Sequence, residues 1–225
     1  MTGRRRQGGP AAWRAGGPER LVVAVHRVGS RIGSGRTSTN RLIWGVAWLL
    51  AATVGCGGKL LVSGQGEAAR FRHRELGYEI AYPGVLGEPG WSTEALDASD
   101  LLVRHEDGAA WALSSSCRAT ATPVELLAAE LARAAGGGGR DRSGRPIRHA
   151  GLEGWMQRLE TREEGTMLAI KTVTLRGPRC TYDWILVAPT IARLEELESA
   201  FDVWWQSFVP GPGDRPGESL KEEAS

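Results

Sequence analysis

Hydrophobic and polar positions alternate in some stretches of this chain and recur at helical spacing in others. Tyr78-Glu-Ile-Ala-Tyr-Pro83 alternates after Gly77 and stops at a proline, which predicts a short strand. Residues 101–108 and 109–114 predict a hairpin about Asp107-Gly108, a strong turn pair. Thr122-Pro-Val-Glu125 predicts a helix start, with threonine as N-cap, proline at the first helical position and glutamate three residues after the cap. Leu126, Leu127, Glu130, Leu131 and Ala134 continue it as one stripe, and Gly136–Gly139 ends it.

Residues 151–160 and 166–176 predict two longer strands about the turn Glu163-Glu-Gly165. Residues 180–188 are nearly continuous in apolar and β-branched types, the pattern of a central strand buried on both faces. A last helix is predicted from Thr190 to about Phe208. Ile191, Leu194, Phe201, Trp204, Trp205 and Phe208 recur at helical spacing, with Glu195, Glu196 and Glu198 on the other side. Hairpin-linked strands with helices between and after them predict an α+β fold, helices packed on a mainly antiparallel sheet.

Ahead of all this, residues 42–54 form an uncharged run. It is too short for a membrane-spanning helix, which needs about 20 residues, but has the length of a signal-peptide core. Charge sets the preceding part apart. Nine of the 28 basic residues but only one of the 26 acidic ones, Glu19, lie before Cys56, so the remainder carries a net charge of −6. An acidic remainder disfavours a nucleic-acid partner, because phosphate binding needs a clustered basic face. The basic excess reads as targeting.

Thr53-Val-Gly-Cys56 follows the apolar run and resembles the lipobox of bacterial lipoprotein leaders, with Thr53 in place of the usual leucine. The resemblance implies that residues 1–55 are removed and that Cys56 carries lipid, anchoring the chain to a membrane in the cell envelope, facing the periplasm or exterior. Gly57 is not the aspartate of an inner-membrane retention signal, which favours the outer membrane. The first forty residues are long for a leader, so translation is read as starting nearer Val28. Residues 56–69 read as a flexible tether, 70–209 as the folded domain and 210–225 as a disordered tail.

The order of elements carries a second resemblance. An opening Gly-Tyr-x-Ile-x-Tyr-Pro, a helix after Ala-Thr-Pro, and a strand Cys-Thr-Tyr-Asp-Trp-Ile-Leu-Val-Ala-Pro leading to a helix that ends in Gln-Ser-Phe resemble PsbP-like domains over residues 70–209. That family implies an α/β/α sandwich used for binding or assembly, with no common enzymatic activity.

Candidate chemistry is sparse. With Cys56 assigned to lipid, Cys117 and Cys180 remain as a pair at strand ends, and in an exported protein such a pair most often forms a disulfide. Their spacing is not Cys-x-x-Cys and no histidine is near, which disfavours a redox or metal role. His73, His105 and His149 sit singly and read as surface or strand-edge residues, so no metal site is expected. Gly136–Ser143 lacks the Gly-Lys-Ser/Thr of a phosphate loop and follows a helix instead of opening one. Arg140, Arg142, Arg145 and Arg148 could still form a basic patch. Ser114-Ser-Ser-Cys117 and Gly90-Trp-Ser-Thr lack the Gly-x-Ser-x-Gly elbow of hydrolases. Of Tyr182 and Asp183, strand alternation turns one outward. No catalytic residue and no cofactor motif emerge. Six tryptophans (Trp91, Trp111, Trp155, Trp184, Trp204, Trp205) are many for one domain; most read as core anchors, and one or two on a sheet face would make an apolar binding site.

The leading expectation is a membrane-anchored, non-enzymatic binding or assembly module with an unidentified protein or small-molecule partner. The alternative is an envelope enzyme, a hydrolase for instance. A third is a cytosolic domain whose residues 42–54 are internal. A tight buried acid/base cluster beside a cleft would mark the enzyme, and a shallow aromatic patch the binder.

Overall fold

The structure, a computed structural model, describes residues 60–63, 69–94, 99–117, 121–135, 143–163 and 166–215. The leader, Cys56, Arg140 and Arg142 lie outside these residues. Among the described residues ten strands and two α-helices follow in order: β1 Leu60–Ser63, β2 Arg70–His73, β3 Glu79–Ala81, β4 Trp91–Glu94, β5 Leu101–His105, β6 Ala110–Cys117, α1 Val124–Ala134, β7 Ser143–His149, β8 Leu152–Glu163, β9 Thr166–Arg176, β10 Cys180–Ala188 and α2 Ile191–Gln206. β1-β2-β3 form a small sheet, and β4-β5-β6-β10-β9-β8-β7 a seven-stranded one. Every ladder is antiparallel. The α+β class predicted from the hydrophobic pattern is the one observed.

The two-residue period of the strands sorts the core into layers. Ala169, Val173 and Leu175 of β9 join Tyr182, Trp184 and Leu186 of β10 in one cluster with Leu194, Leu197, Phe201, Trp204 and Trp205 of α2. Leu168 and Ile170 face the other way with Ile185 and Val187, against Leu131 and Ala132 of α1. One helix therefore lies on each face of the seven-stranded sheet. β10, between β6 and β9, is the twice-buried central strand that its composition predicts.

Several expectations are corrected. The first helix begins at Val124, with Pro123 in the cap position at ψ 141° and without a side-chain cap. The carbonyl of Pro123 accepts the first helical amides, those of Leu126 and Leu127. Thr122 lies outside, its carbonyl taking a hydrogen bond from Arg176. The buried stripe is Ala128, Leu131, Ala132 and Ala135, whereas Leu126 is 54% exposed. Ile191 is likewise exposed in α2, which begins where the pattern placed it, the Thr190 hydroxyl accepting from the Arg193 amide. β7 escaped sequence reading because Ser-Gly-Arg-Pro-Ile-Arg-His has no apolar alternation. It is an edge strand, where a proline costs no ladder bond.

Both supposed flexible ends contribute to the fold. Within the predicted tether, residues 60–63 pair with β2, and Leu60 packs against the core. Of the predicted tail, residues 210–215 form a strap. Asp214 is buried, its Oδ1 accepting the amides of Arg179 and Cys180 and its Oδ2 the Tyr182 hydroxyl. Gly211 runs so close to the carbonyl of Leu76 that a Cβ would sit 1.9 Å from it. A proline- and glycine-rich composition reads as disorder, but here it lets the backbone lie flush against the domain.

Asp183 faces the α1 side of the sheet, with the Thr174 hydroxyl donating to it at 2.7 Å. Burial pushes its carboxyl from 3.8 up to about 6, Thr174 opposing the rise. A carboxyl whose pKa is higher in the fold than in the unfolded chain holds its proton more tightly when folded. Its contribution is therefore full below about pH 4 and is lost as pH rises through 6. Asp183→Asn is expected to stabilise the domain by about 1–3 kcal/mol at pH 7.5 and hardly at all at pH 4. Thermal melts of both proteins at the two pH values check this, and equal shifts at both would contradict it.

Candidate functional site

The chain uses arginine almost everywhere, and Lys171 is one of three lysines. It stands in the middle of β9 between Ile170 and Thr172 and is 2% exposed. A buried ammonium requires counter-charges, because desolvating an unpaired ion costs several kcal/mol. α2 supplies them: the Lys171 Nζ donates to Glu198 Oε1 and to Asp202 Oδ1, each at 2.6 Å. Arg158, opposite Lys171 in the β8–β9 ladder, grips both oxygens of Glu198 through its Nε and a terminal nitrogen. Asp202 also accepts the Trp205 indole N–H at 2.9 Å. Burial alone would raise the pKa of Glu198, but Arg158 and Lys171 outweigh it and hold the carboxyl below its usual value.

Beside this network opens a cleft of about 680 Å³ between α2 and the edge of the sheet. On the sheet side it is lined by Arg145, Met156, Arg158 and Lys171, on the helix side by Glu195, Glu198, Ser199 and Asp202. The helical residues are spaced i, i+3, i+4, i+7, so they share one face. On the sheet, Arg145 lies opposite Met156, two positions from Arg158 on the same face, so these long side chains are diagonal neighbours. Arg145 is exposed at the mouth, and Glu195 is exposed across from it. The volume is in the range of small-molecule sites, roughly 300–1,000 Å³, but the lining is charged instead of aromatic.

Several site expectations change accordingly. Glu195 and Glu198, expected on the solvent side, face the cleft, whereas Glu196 pairs with Arg193 on the surface. The basic patch is split: Arg145 and Arg148 are three residues apart on one strand, so they point to opposite faces, and Arg148 is 84% exposed beside Glu153. The tryptophans serve as core anchors, the reading given to most of them, and none forms an exposed aromatic patch. Trp91, Trp111, Trp184, Trp204 and Trp205 are buried, and Trp155 is half-buried. Trp111 sits at the centre of the aromatic core, against Trp91, Phe201 and Trp204.

The histidines also depart from a surface reading. His73 is buried, its Nδ1 accepting the amides of Glu75 and Leu76, with its Nε2 3.7 Å from Asp100. Tyr78 and Ser115 donate their hydroxyls to the other oxygen of Asp100. Serine, histidine and aspartate thus meet, yet not as a nucleophile and its base. The Ser115 hydrogen goes to the carboxylate, and both nitrogens of His73 are turned elsewhere. His105 and His149 are half-buried, His149 within hydrogen-bonding reach of the Phe208 carbonyl. Among the described residues no group of three or more His, Cys, Asp or Glu could hold a metal, and no helix is long and apolar enough to cross a membrane.

The two cysteines stand directly opposite each other in the β6–β10 ladder and are joined, with sulfurs 2.01 Å apart and a Cα separation of 3.9 Å. Cys56 lies outside the described residues.

No known protein family matches this chain, and neither does any curated protein. Solved structures do resemble it. Cyanobacterial PsbP (CyanoP) from Synechocystis sp. PCC 6803 is 15% identical, the match covering 72% of this chain and 98% of that one with a TM-score of 0.47. LpqN of Mycobacterium tuberculosis, involved in cell envelope biogenesis, is 12% identical over 64% of this chain and 90% of its own, with a TM-score of 0.46. PA94 of Pseudomonas aeruginosa, a protein of unknown function, is 17% identical over 69% and 99%, with a TM-score of 0.41.

Proposed function

We propose that the mature chain is a lipid-anchored, extracytoplasmic binding or assembly module whose contact with its partner is the charged cleft between α2 and β7–β9. The observation that carries the binding reading is the cleft itself: a hollow of about 680 Å³ floored by a closed ion-pair network and flanked by Arg145 and Glu195. The apolar run before Cys56 and the joined cysteines support the compartment, since disulfides persist where the surroundings are oxidising.

The enzyme reading draws on the same place, for Lys171 is a buried cation beside a cleft. A general acid or base needs a pKa near the working pH. Glu198 is instead held ionised by two cations, and Lys171 is tied to two carboxylates. A carboxylate so held in its charged form suits binding better than proton transfer.

Two measurements test the proposal. Mass spectrometry of the mature N-terminus is expected to find a diacylglyceryl-modified Cys56, and an intact leader or an unmodified Cys56 would sink the anchor. Pull-down of the tagged protein from its own envelope is expected to recover a partner that Arg145→Glu loses at least tenfold. Arg148→Glu, on the opposite sheet face, is expected to keep it. Equal recovery by the two variants would remove the cleft from the reading.

A further inference from the structure

The small sheet carries a second surface, built from none of the residues that line the cleft. β1 is an edge strand without a charged residue, and Leu61 and Val62 on it are 46% and 59% exposed. In the β1–β2 ladder Leu61 lies directly opposite Arg72, which is exposed, as is Arg74 in the turn that follows β2. Apolar and cationic side chains thus share one end of the molecule.

Charge is distributed to match. Among the described residues of β2 and the turn after it, Arg70, Arg72 and Arg74 stand against Glu75, whereas residues 76–225 carry a net charge of −8. Of the acids in the small sheet and its turn, Glu75 is exposed and Glu79 is paired with Arg70. An anionic bilayer attracts this end of the domain and repels the rest.

Length adds the constraint that decides the occupant. Leu60 opens β1 four positions after Cys56. Extended chain spans about 3.3–3.6 Å per residue, so the start of β1 stays within about 14 Å of the lipid-bearing Cα. The headgroup layer of each leaflet is itself roughly 5–8 Å thick. On so short a leash β1 cannot leave the membrane surface.

From these observations we infer that the β1 edge, with Arg72 and Arg74 beside it, rests on an anionic lipid bilayer. Leu61 and Val62 dip among the headgroups while the two arginines contact lipid phosphates. The inference rests on the lipidation of Cys56. It adds that the domain is held in one orientation instead of swinging on a tether, since α1 lies across the seven-stranded sheet from the α2 layer to which β3 is bonded.

The test uses the mature, lipidated full chain in vesicles of phosphatidylglycerol and phosphatidylethanolamine. With Cys56 in thioether linkage and Cys117 joined to Cys180, Leu61→Cys supplies a single thiol for an environment-sensitive dye. Leu126→Cys on α1, similarly exposed, is the control. On vesicles the label at 61 is expected to brighten at least twofold and to lose more than half its emission to headgroup-level nitroxide lipids, the label at 126 less than a tenth. Adding Arg72→Glu and Arg74→Glu is expected to at least halve the quenching at 61 while flotation persists. A chain that fails to float overturns the anchor and this inference together. A chain that floats with positions 61 and 126 equally quenched overturns the inference alone. Quenching at 61 that ignores the arginine changes overturns the role of the phosphates.

Discussion

Replacing Glu198 and Asp202 together by alanine is expected to destabilise the domain by about 3–5 kcal/mol, the range for leaving a buried charge without its partner. The ammonium of Lys171 is 2% exposed and donates to these two carboxylates. Without them it must lose its proton, admit water or drag β9 outward. Arg158 would lose its carboxylate too, and the Trp205 indole its acceptor. For a domain of this size the loss corresponds to a fall in melting temperature of about 10 °C or more. The triple variant Lys171→Met, Glu198→Gln, Asp202→Asn removes the charges on both sides and is expected to recover most of that loss, because a buried ion pair replaced as a whole is often neutral. Thermal melts at low and moderate salt distinguish the cases. A double variant that melts within 2 °C of the parent would mean that the network contributes no net stability. The same double variant should fall further behind the parent above pH 5 than near pH 3. The pKa of Glu198 is lowered in the fold, so its stabilising contribution is present above the unfolded carboxyl value and lost as pH drops through the folded one.

Cys117→Ser with Cys180→Ser is expected to lower stability by about 2–4 kcal/mol. The bridge closes 63 residues of sequence, for which the chain-entropy account gives about 4 kcal/mol as an upper figure. It ties the open end of the β6–β10 ladder, the central seam of the seven-stranded sheet, next to the Cys180 amide that Asp214 accepts. Its loss should therefore also loosen the strap of residues 210–215, read as faster amide exchange at Arg179 and Cys180. Partner recovery through the cleft should survive at temperatures where the variant stays folded, since the cleft is built from β7–β9 and α2. Thiol titration of the unreduced, unfolded parent offers an independent check. Two free thiols would contradict the bridge.

Much of the local chemistry that needed no distant partner was legible in the sequence, the Thr122 cap excepted. Asp107-Gly108 turns the β5–β6 hairpin, Gly108 taking a φ of 96° that side chains resist and the Asp107 carboxylate accepting the Ala109 amide. Thr190 caps α2 through the Arg193 amide three residues on. The nearly continuous run of apolar and β-branched residues at 180–188 announced a strand covered on both sides, because a strand that faces solvent alternates. These features depend on neighbours within a few positions, so composition and period determined the α+β class and the order of most elements.

The candidate site was not legible, for a reason of the same kind. Periodicity states which residues of one element share a face, not which face of another element they meet. Lys171 and Glu198 are 27 positions apart and come together only because β9 lies beside β10 and α2 returns across both. Nothing near Lys171 in sequence names its counter-ions, although a lone lysine in an apolar, β-branched run is itself a sign that some must exist. Arg145 and Arg148 looked equivalent until β7 proved to be a strand, and its two-residue period sent them to opposite faces. Asp214 looked like part of a disordered tail because its partners, the Arg179 and Cys180 amides and the Tyr182 hydroxyl, sit more than thirty residues earlier. Sequence by itself determined most of the elements, the cap of α2 and the turn of the β5–β6 hairpin, and the basic leader ahead of an acidic remainder. The tertiary structure alone decided which charges are buried and paired, because pairing depends on sheet order and helix placement, which no single segment encodes.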